Sequence, residues 1–244
     1  PAEEAYEKVK SATKDFVNQL NLDYVYKKID STIRGNIAME TLAVVETLEM
    51  DAAIIMPAFP SEGRTTVGGY HLLKGIPIER TEMARDVHSP IYESHIPTLL
   101  KNQLPKDKQN IVGQLELSTI MKGAGPILLK IRELIEQGKK LIVADAVSTT
   151  DIEQVVLAIN KTNYKILPTG SAACAQALGN TWLPEMKNQH IKKTIPNLPK
   201  FVVSGSATQI TANQIKKLAD DDELNNVYIL NLDLKTMNII TECT

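Results

Sequence analysis

The chain has 244 residues, of which 43% are hydrophobic and 23% are charged, a composition typical of a folded protein rather than a disordered one. Lys and Arg number 27 against 29 Asp and Glu, and the formal net charge of −2 argues against a nucleic-acid-binding or membrane-surface protein. No apolar run approaches the roughly 18 residues that cross a bilayer, and residues 1–15 are too charged for a secretory signal. The two cysteines, Cys174 and Cys243, form neither a disulfide framework nor a metal-ligand spacing, so we expect a cytoplasmic protein.

Up to Pro105, the period of the apolar residues switches between helical and strand-like spacing. Many Gly and Pro residues interrupt this part of the chain after Met56. In chain order we predict a helix over residues 1–20, a strand over 23–26, a helix over 36–49, a strand over 52–56, a hairpin over 67–73 and a helix over 94–103.

The remainder alternates more regularly, apart from a stretch at 179–199 that holds three prolines and no clear period. In chain order we predict a helix over residues 118–137, a strand over 141–144, a helix over 151–162, a strand over 165–167, a helix over 171–178, a strand over 201–203, a helix over 208–219 and a strand over 227–230. Several of these strands are apolar throughout, the pattern of strands buried on both faces. The alternation predicts an α/β protein with mainly parallel sheets and helices on both faces.

Charged and hydroxyl side chains cluster in a first corner, residues 27–36, where a strand turns into a helix. It carries Lys28, Asp30, Ser31 and Arg34. Arginine binds carboxylate or phosphate through two bonds, and the free amides of a helix N-terminus favour anions. The same residues also suit a solvated turn with a Ser or Thr cap and a local Asp30–Arg34 pair. The spacing alone does not decide between these interpretations.

A second corner, residues 57–66, follows the predicted strand at 52–56. Two prolines stiffen it, Gly63 permits a tight turn, and Arg64 is followed by two threonines. Taken alone, this segment favours a rigid structural loop with an exposed arginine. Ligands of open α/β sheets bind outside the carboxyl ends of the strands, so two arginine-bearing corners together favour one anionic ligand.

Three other strand ends carry candidate ligand-binding residues. Asp145 could hold a sugar hydroxyl or, through water, a magnesium ion, and could equally belong to a helix-capping loop. The turns at 168–173 and 204–208 consist mostly of small residues whose backbone amides could cradle phosphate. The four histidines are scattered, and we interpret each as a surface or hydrogen-bonded structural residue rather than a base.

Several common catalytic motifs are absent from the sequence. It contains no P-loop, no G-x-G-x-x-G turn after a strand, no H-E-x-x-H, no C-x-x-C and no G-x-S-x-G. These absences argue against the usual dinucleotide-binding, zinc-hydrolase and α/β-hydrolase classes.

Both corners resemble signatures of the four-carbon acid sugar kinase family, long known only as a domain of unknown function. They read KKIDSTIRGN at 27–36 and PAFPSEGRTT at 57–66. The family includes kinases of D-threonate, D-erythronate and 3-oxo-tetronate. The likeness continues in order through nearly the whole chain, at Gly68-Gly69-Tyr70, Gly75-Ile76-Pro77, Asp86, Pro90, Asp145-Ala146, Gly170-Ser171, residues 202–206, Thr211 and Gln214.

The resemblance implies ATP-dependent phosphorylation of a small sugar acid, with Mg²⁺ bridging the ATP phosphates. The reaction would take place in a cleft between a substrate domain, here residues 1–185, and a nucleotide domain, here 198–244, joined by a linker at about 179–199. Transferred by motif, the substrate side would comprise catalytic Asp30 and Arg34 with substrate-binding Lys28, Ser31 and Arg64. The nucleotide side would comprise Gly170, Ser171, Ser204, Gly205 and Ser206.

Two family features have no counterpart here: a first strand followed by Asp-Asp-x-Thr-Gly, and a Gly-rich phosphate-binding segment late in the nucleotide domain. We therefore expect a fragment that lacks both ends and has little turnover alone. One alternative is a catalytically inactive anion- or nucleotide-binding module, and another is an isomerase or aldolase acting on phosphorylated small molecules. The expected partners are a sugar acid and ATP, without nucleic acid or membrane, and a homo-oligomer is an open alternative.

Overall fold

A computed structural model describes residues 2–20, 22–85, 90–183 and 209–220. The chain divides into two compact units, Pro1–Gln189 and His190–Thr244. In chain order the described helices and strands are α1 (Ala2–Gln19), β1 (Lys27–Lys28), α2 (Ile37–Thr47), β2 (Ala52–Met56), β3 (Arg64–Val67), β4 (Tyr70–Leu73), β5 (Ile76–Pro77), α3 (Ile96–Gln103), β6 (Val112–Leu115), α4 (Leu117–Ile120), α5 (Ala124–Glu136), β7 (Leu141–Ala144), α6 (Thr149–Lys161), β8 (Ile166–Gly170), α7 (Ala172–Trp182) and α8 (Gln209–Ala219).

The first unit is built on a five-stranded sheet with the strand order β1-β8-β2-β7-β6. Every neighbouring pair in this sheet is parallel. The carboxyl ends of all five strands therefore lie at the same edge, which is where ligands bind in sheets of this kind.

Helices cover both faces of the sheet through apolar side chains, as the contacts of β2 illustrate. Ala52, Ile54 and Met56 pack in a cluster with residues of α5, α6 and α7. Ala53 and Ile55 point the other way and pack with residues of α2 and α3. Because both faces are covered, β2 has no polar position, which is why its sequence is apolar throughout. The predicted α/β class with a parallel sheet flanked by helices is confirmed.

A smaller antiparallel sheet, β3-β4-β5, begins at Arg64, within the second corner. Its first two strands form a hairpin with Gly68 and Gly69 at the turn, where φ is +58° and +79°. Two consecutive positive φ angles suit the right-handed twist of the strands, and glycine adopts them without steric cost. Reciprocal backbone hydrogen bonds of 2.8 and 3.0 Å between Thr66 and Ala146 connect the hairpin to the residues after β7. The hairpin predicted over residues 67–73 is confirmed, and its first strand begins earlier than predicted, at Arg64.

The strand predicted over residues 23–26 is wrong. Strand pairing begins later, at Lys27 and Lys28, which are in register with Thr169 and Gly170 of β8. Tyr24 instead stacks on Trp182 with the ring centroids 4.6 Å apart. Aromatic and β-branched residues favour strands, but here they serve side-chain packing.

The helix predicted over residues 118–137 is two helices, because the chain turns at Gly123, where φ is +90°. Strand β6, over residues 112–115, was not predicted at all. Its Gly113 and Gln114 disrupt the apolar run by which a buried strand is recognised.

The predicted linker begins too early, because α7 continues to Trp182, whose indole N–H donates to Asn160 at 3.0 Å. The strands predicted over 201–203 and 227–230 lie outside the described residues. Helix α8, the described part of the second unit, agrees with the predicted helix over 208–219. None of the helices in the described ranges has the length and apolar composition that a membrane span requires.

Candidate functional site

Both arginine-bearing corners lie at the carboxyl edge of the parallel sheet. The first corner contains β1, the second follows β2, and these two strands flank β8. The corners are therefore separated by the width of a single strand. Sequence reasoning predicted this common edge from the strand-to-helix pattern.

An ion pair organises the first corner. The Arg34 guanidinium donates from Nε to Oδ2 of Asp30 at 2.6 Å, and the Thr32 hydroxyl donates to the same oxygen. Burial acts to raise the pKa of Asp30, but the hydrogen bonds from Arg34 and Thr32 outweigh it and hold the pKa below its ordinary value. Asp30 is therefore an ionised hydrogen-bond acceptor at neutral pH rather than a strong proton acceptor.

The backbone of the first corner is strained at Ile33. Its φ is +58°, in the left-handed region, and its side chain is buried. For a β-branched residue this conformation costs on the order of 1–3 kcal/mol and persists only where the surroundings hold it. Gln103 supports the end of the corner, since its amide donates to the Gly35 carbonyl at 2.9 Å and accepts from the Ala38 N–H at 2.9 Å.

The second corner closes tightly before Arg64. A short 3-10 helix, Pro60–Glu62, leads into Gly63 at φ +68°, and Phe59 and Arg64 exchange backbone hydrogen bonds of 2.8 and 3.1 Å. The Nε atom of Arg64 is buried and has no hydrogen-bond partner among the described residues. A buried donor without a partner carries a desolvation cost that an oxygen ligand would relieve.

His71 joins the two corners. Its Nε2 lies 2.8 Å from the Ser31 carbonyl oxygen, and its Nδ1 lies 3.0 Å from the Thr66 hydroxyl. Burial lowers its pKa to about 4, and the Arg64 guanidinium adds to this effect, while the Ser31 carbonyl and the Asp30 carboxylate oppose it. His71 is therefore in electrostatic reach of Arg64 in one corner and of Asp30 in the other.

The two lysines of β1 have different environments. Lys27 is largely buried and pairs with Glu40 of α2 at 2.9 Å. Lys28 is exposed, and its ammonium group donates to the neighbouring Ile29 carbonyl at 2.6 Å. Lys28 thus presents its ammonium group at the end of the edge strand, on the solvent side of the first corner.

Gly170 and Ser171 lie at the end of β8, in the first unit. The Ser171 hydroxyl donates to the Ala58 carbonyl at 2.6 Å and accepts from the Ala173 N–H at 3.2 Å, which caps α7. A Cβ at position 170 would collide with the Met56 carbonyl oxygen. These contacts serve the fold, and nucleotide binding by the two residues stays a prediction. The other predicted nucleotide residues lie outside the described residues, namely Ser204, Gly205 and Ser206.

Asp145 has a structural role that the sequence left open. Its carboxylate is buried and accepts backbone N–H groups from Gly68 at 2.8 Å, Gly69 at 2.9 Å and Leu117 at 3.0 Å. These contacts favour the loop interpretation over a sugar or magnesium ligand. Within the described ranges, no group of three or more His, Cys, Asp or Glu residues is arranged to hold a metal ion.

Sequence reasoning missed the connecting role of His71. A signal was available, because the two-residue turn at Gly68 and Gly69 sets Thr66 opposite His71 on the hairpin. Cross-strand partners point their side chains to the same face, so the pair could have been identified from the turn alone. The further bond to Ser31 depends on tertiary packing and leaves no local pattern.

Comparisons with known proteins give relatives of named activity. The chain is 32% identical over 216 residues to the D-erythronate kinase of Heliobacterium modesticaldum, covering 88% of this chain and 46% of that protein. It is 31% identical over 217 residues to the D-threonate kinase of Salmonella typhimurium, covering 88% and 48% respectively. The chain thus spans about half the length of the curated relatives it matches.

Solved structures agree with the fold. A Haemophilus influenzae protein of the DUF1537 family has a TM-score of 0.71 and 25% identity, covering 90% of this chain and 52% of that one. A DUF1537 domain from Bordetella bronchiseptica, a domain-swapped dimer with bound citrate, has a TM-score of 0.61 and 28% identity, covering 75% and 42%. The family model described as "Sugar-binding N-terminal domain" matches residues 1–178, and the chain belongs to this family.

Proposed function

We propose that this chain is the sugar-acid-binding part of a cytoplasmic kinase that phosphorylates a four-carbon sugar acid with ATP and Mg²⁺. The observation that carries the proposal is the meeting of two cationic corners at His71, within one unit and at the carboxyl edge of one sheet. Relatives at about 30% identity are named as D-erythronate and D-threonate kinases, which supports this substrate class.

The charges of the site suit a small acid. Lys28, Arg34 and Arg64 supply three cations, and the Asp30 carboxylate is already paired with Arg34. We assign Arg64, whose Nε has no partner in the described part of the chain, and Lys28 to the substrate carboxylate. Arg34 would offset charge on the transferred phosphoryl group, and Asp30 would accept a hydrogen bond from a substrate hydroxyl. Positioning and charge neutralisation supply most of the rate enhancement in phosphoryl transfer.

The other assignments rest on the resemblance. Ser31 is proposed to bind the substrate, and Gly170, Ser171 and residues 204–206 are proposed to bind ATP. We further propose residues 1–185 as the substrate domain and 198–244 as the start of the nucleotide domain. The domain-swapped dimer described for the Bordetella protein supports a homo-oligomer among the expected partners.

The proposal is tested by measuring ADP release from ATP with D-erythronate, D-threonate and 3-oxo-tetronate, using the gene product that contains this sequence. Calorimetry on the 244-residue chain measures sugar-acid binding separately. We expect binding by the chain and turnover by the gene product with at least one acid. Binding without turnover would favour the inactive binding module, and neither result with any four-carbon acid would overturn the proposal.

A further inference from the structure

His71 is fully buried yet makes two side-chain hydrogen bonds to separate parts of the site. We propose that His71 is a positioning residue that holds the first corner at a fixed place relative to Arg64, and so sets the geometry in which the sugar acid is bound. The inference deepens the proposed function and rests on it for the identity of the ligand.

The hydrogen-bond partners fix the tautomer of the imidazole ring. A carbonyl oxygen can only accept, so Nε2, which faces the Ser31 carbonyl, carries the proton. In the neutral ring Nδ1 then accepts from the Thr66 hydroxyl. Both nitrogens are thus occupied by protein groups, so His71 acts through Ser31 and Thr66 rather than by transferring a proton itself.

The hairpin that carries His71 is itself held in place by several hydrogen bonds. The His71 N–H donates to the Ser94 carbonyl at 2.8 Å, and Thr66 exchanges backbone bonds with Ala146 after β7. The turn of the hairpin is fixed by the Asp145 carboxylate through Gly68 and Gly69. Hydrogen bonds therefore run without interruption from the central sheet through the hairpin to the imidazole ring.

The backbone around Ser31, which His71 holds through a hydrogen bond, depends on such contacts for its conformation. Ser31 lies between Asp30, which pairs with Arg34, and the turn that places Ile33 at φ +58°. A strained turn relaxes when a restraining contact is lost, because its conformation depends on the surroundings. Loss of the bond to Ser31 would let the Asp30–Arg34 pair move relative to Arg64, which belongs to the hairpin and would stay in place.

The test uses two substitutions at His71 and two controls. His71→Leu removes both hydrogen bonds and replaces the imidazole ring by an apolar side chain of similar size. His71→Gln keeps an N–H donor that can reach the Ser31 carbonyl. Thr66→Val removes the Nδ1 partner and leaves the bond to Ser31. His95→Gln changes a neighbouring histidine that bonds Thr98 rather than either corner.

Binding and kinetics give the first readout. In the gene product that contains this sequence, we expect His71→Leu to weaken D-erythronate affinity at least tenfold and to raise the KM for the sugar acid but not for ATP. His71→Gln should recover most of this loss, Thr66→Val should lose less than His71→Leu, and His95→Gln should bind like the unmodified chain. The proposal is overturned by a folded His71→Leu that binds normally, by equal losses for both ligands, or by a Gln variant as weak as the Leu variant.

Amide hydrogen exchange gives a readout that does not need the ligand. We expect exchange at residues 31–35 to accelerate at least tenfold in His71→Leu, while α5 exchanges at the unmodified rate. Unchanged exchange at 31–35 would overturn the positioning role. If the unmodified chain binds no four-carbon acid, the proposed function fails, and the exchange data still decide the role of His71.

Discussion

The carboxylate of Asp145 accepts the backbone N–H of Gly69 at 2.9 Å, although 76 positions separate the two residues in the sequence. The N–H groups of Gly68 and Leu117 bind the same carboxylate. One acidic side chain at the end of β7 therefore determines where the hairpin turn lies. Since the hairpin carries both Arg64 and His71, the candidate site depends on this buried carboxylate without using it chemically.

Asp145→Asn should destabilise the first unit by about 2–3 kcal/mol, because an amide replaces one acceptor oxygen by an N–H donor that faces backbone donors. Urea unfolding measures the change in the free energy of unfolding. Asp107→Asn, at an exposed position, is the matched control and should change it by less than about 0.5 kcal/mol. Equal midpoints for the two variants would contradict the structural role of Asp145.

Arg34→Ala and Arg64→Ala should each weaken sugar-acid binding by about 1.5–3 kcal/mol, the typical value of a charge-assisted hydrogen bond, while ATP affinity changes little. Calorimetry with D-erythronate and with ATP, in the gene product, measures both. Arg132→Ala, an exposed arginine of α5, controls for loss of charge alone. Parallel losses for both ligands would be inconsistent with the proposed substrate side.

The lowered pKa of His71 predicts that the folded chain loses stability as the pH falls. Its pKa is about 4 in the folded chain against an ordinary value of 6.5, so the unfolded chain binds the extra proton first as the pH falls. The contribution of His71 to the free energy of unfolding is fully present above pH 6.5 and is lost as the pH falls towards about 4. The largest loss is roughly 3 kcal/mol. Urea unfolding across this range should show a shallower decline for His71→Gln. Identical slopes in the two proteins would refute the assignment.

The elements of the fold that have a clear local pattern of apolar residues were predictable from the sequence. The apolar runs of β2 and β7 and the spacing in α2 identify buried strands and a covering helix, and the order of strands and helices identifies a parallel sheet. Strand β6 was not predictable, because Gly113 and Gln114 are accommodated only through pairing with β7. Its existence depends on a neighbour rather than on its own residues.

The candidate site also has residues that the sequence identifies and contacts that it does not. Its charged residues are recognisable because they form two short segments after strands. The contact of His71 with Ser31 joins positions 40 residues apart, and no spacing rule indicates it. The sequence left Asp145 open between a ligand-binding residue and part of a helix-capping loop. Its three backbone donors favour a structural role, and two of them belong to the hairpin turn rather than to a helix.

Glycine at position 170 should be required for packing. Gly170→Ala places a Cβ against the Met56 carbonyl and the Cys174 side chain, and overpacking of this kind costs about 1–3 kcal/mol. Gly179→Ala is the matched control within α7, where a Cβ meets nothing within 4 Å. It should stabilise the chain by up to about 1 kcal/mol. Urea midpoints that move in the same direction would contradict this prediction.

The stacking of Tyr24 on Trp182 has a practical consequence. Trp182 is the single tryptophan of the chain, and its partner lies just before the first corner. Its fluorescence emission therefore comes from one defined location, where the end of α7 meets the segment that enters β1. Unfolding of the first unit in urea and in acid can be followed through this intrinsic probe, without a label that would disturb the site.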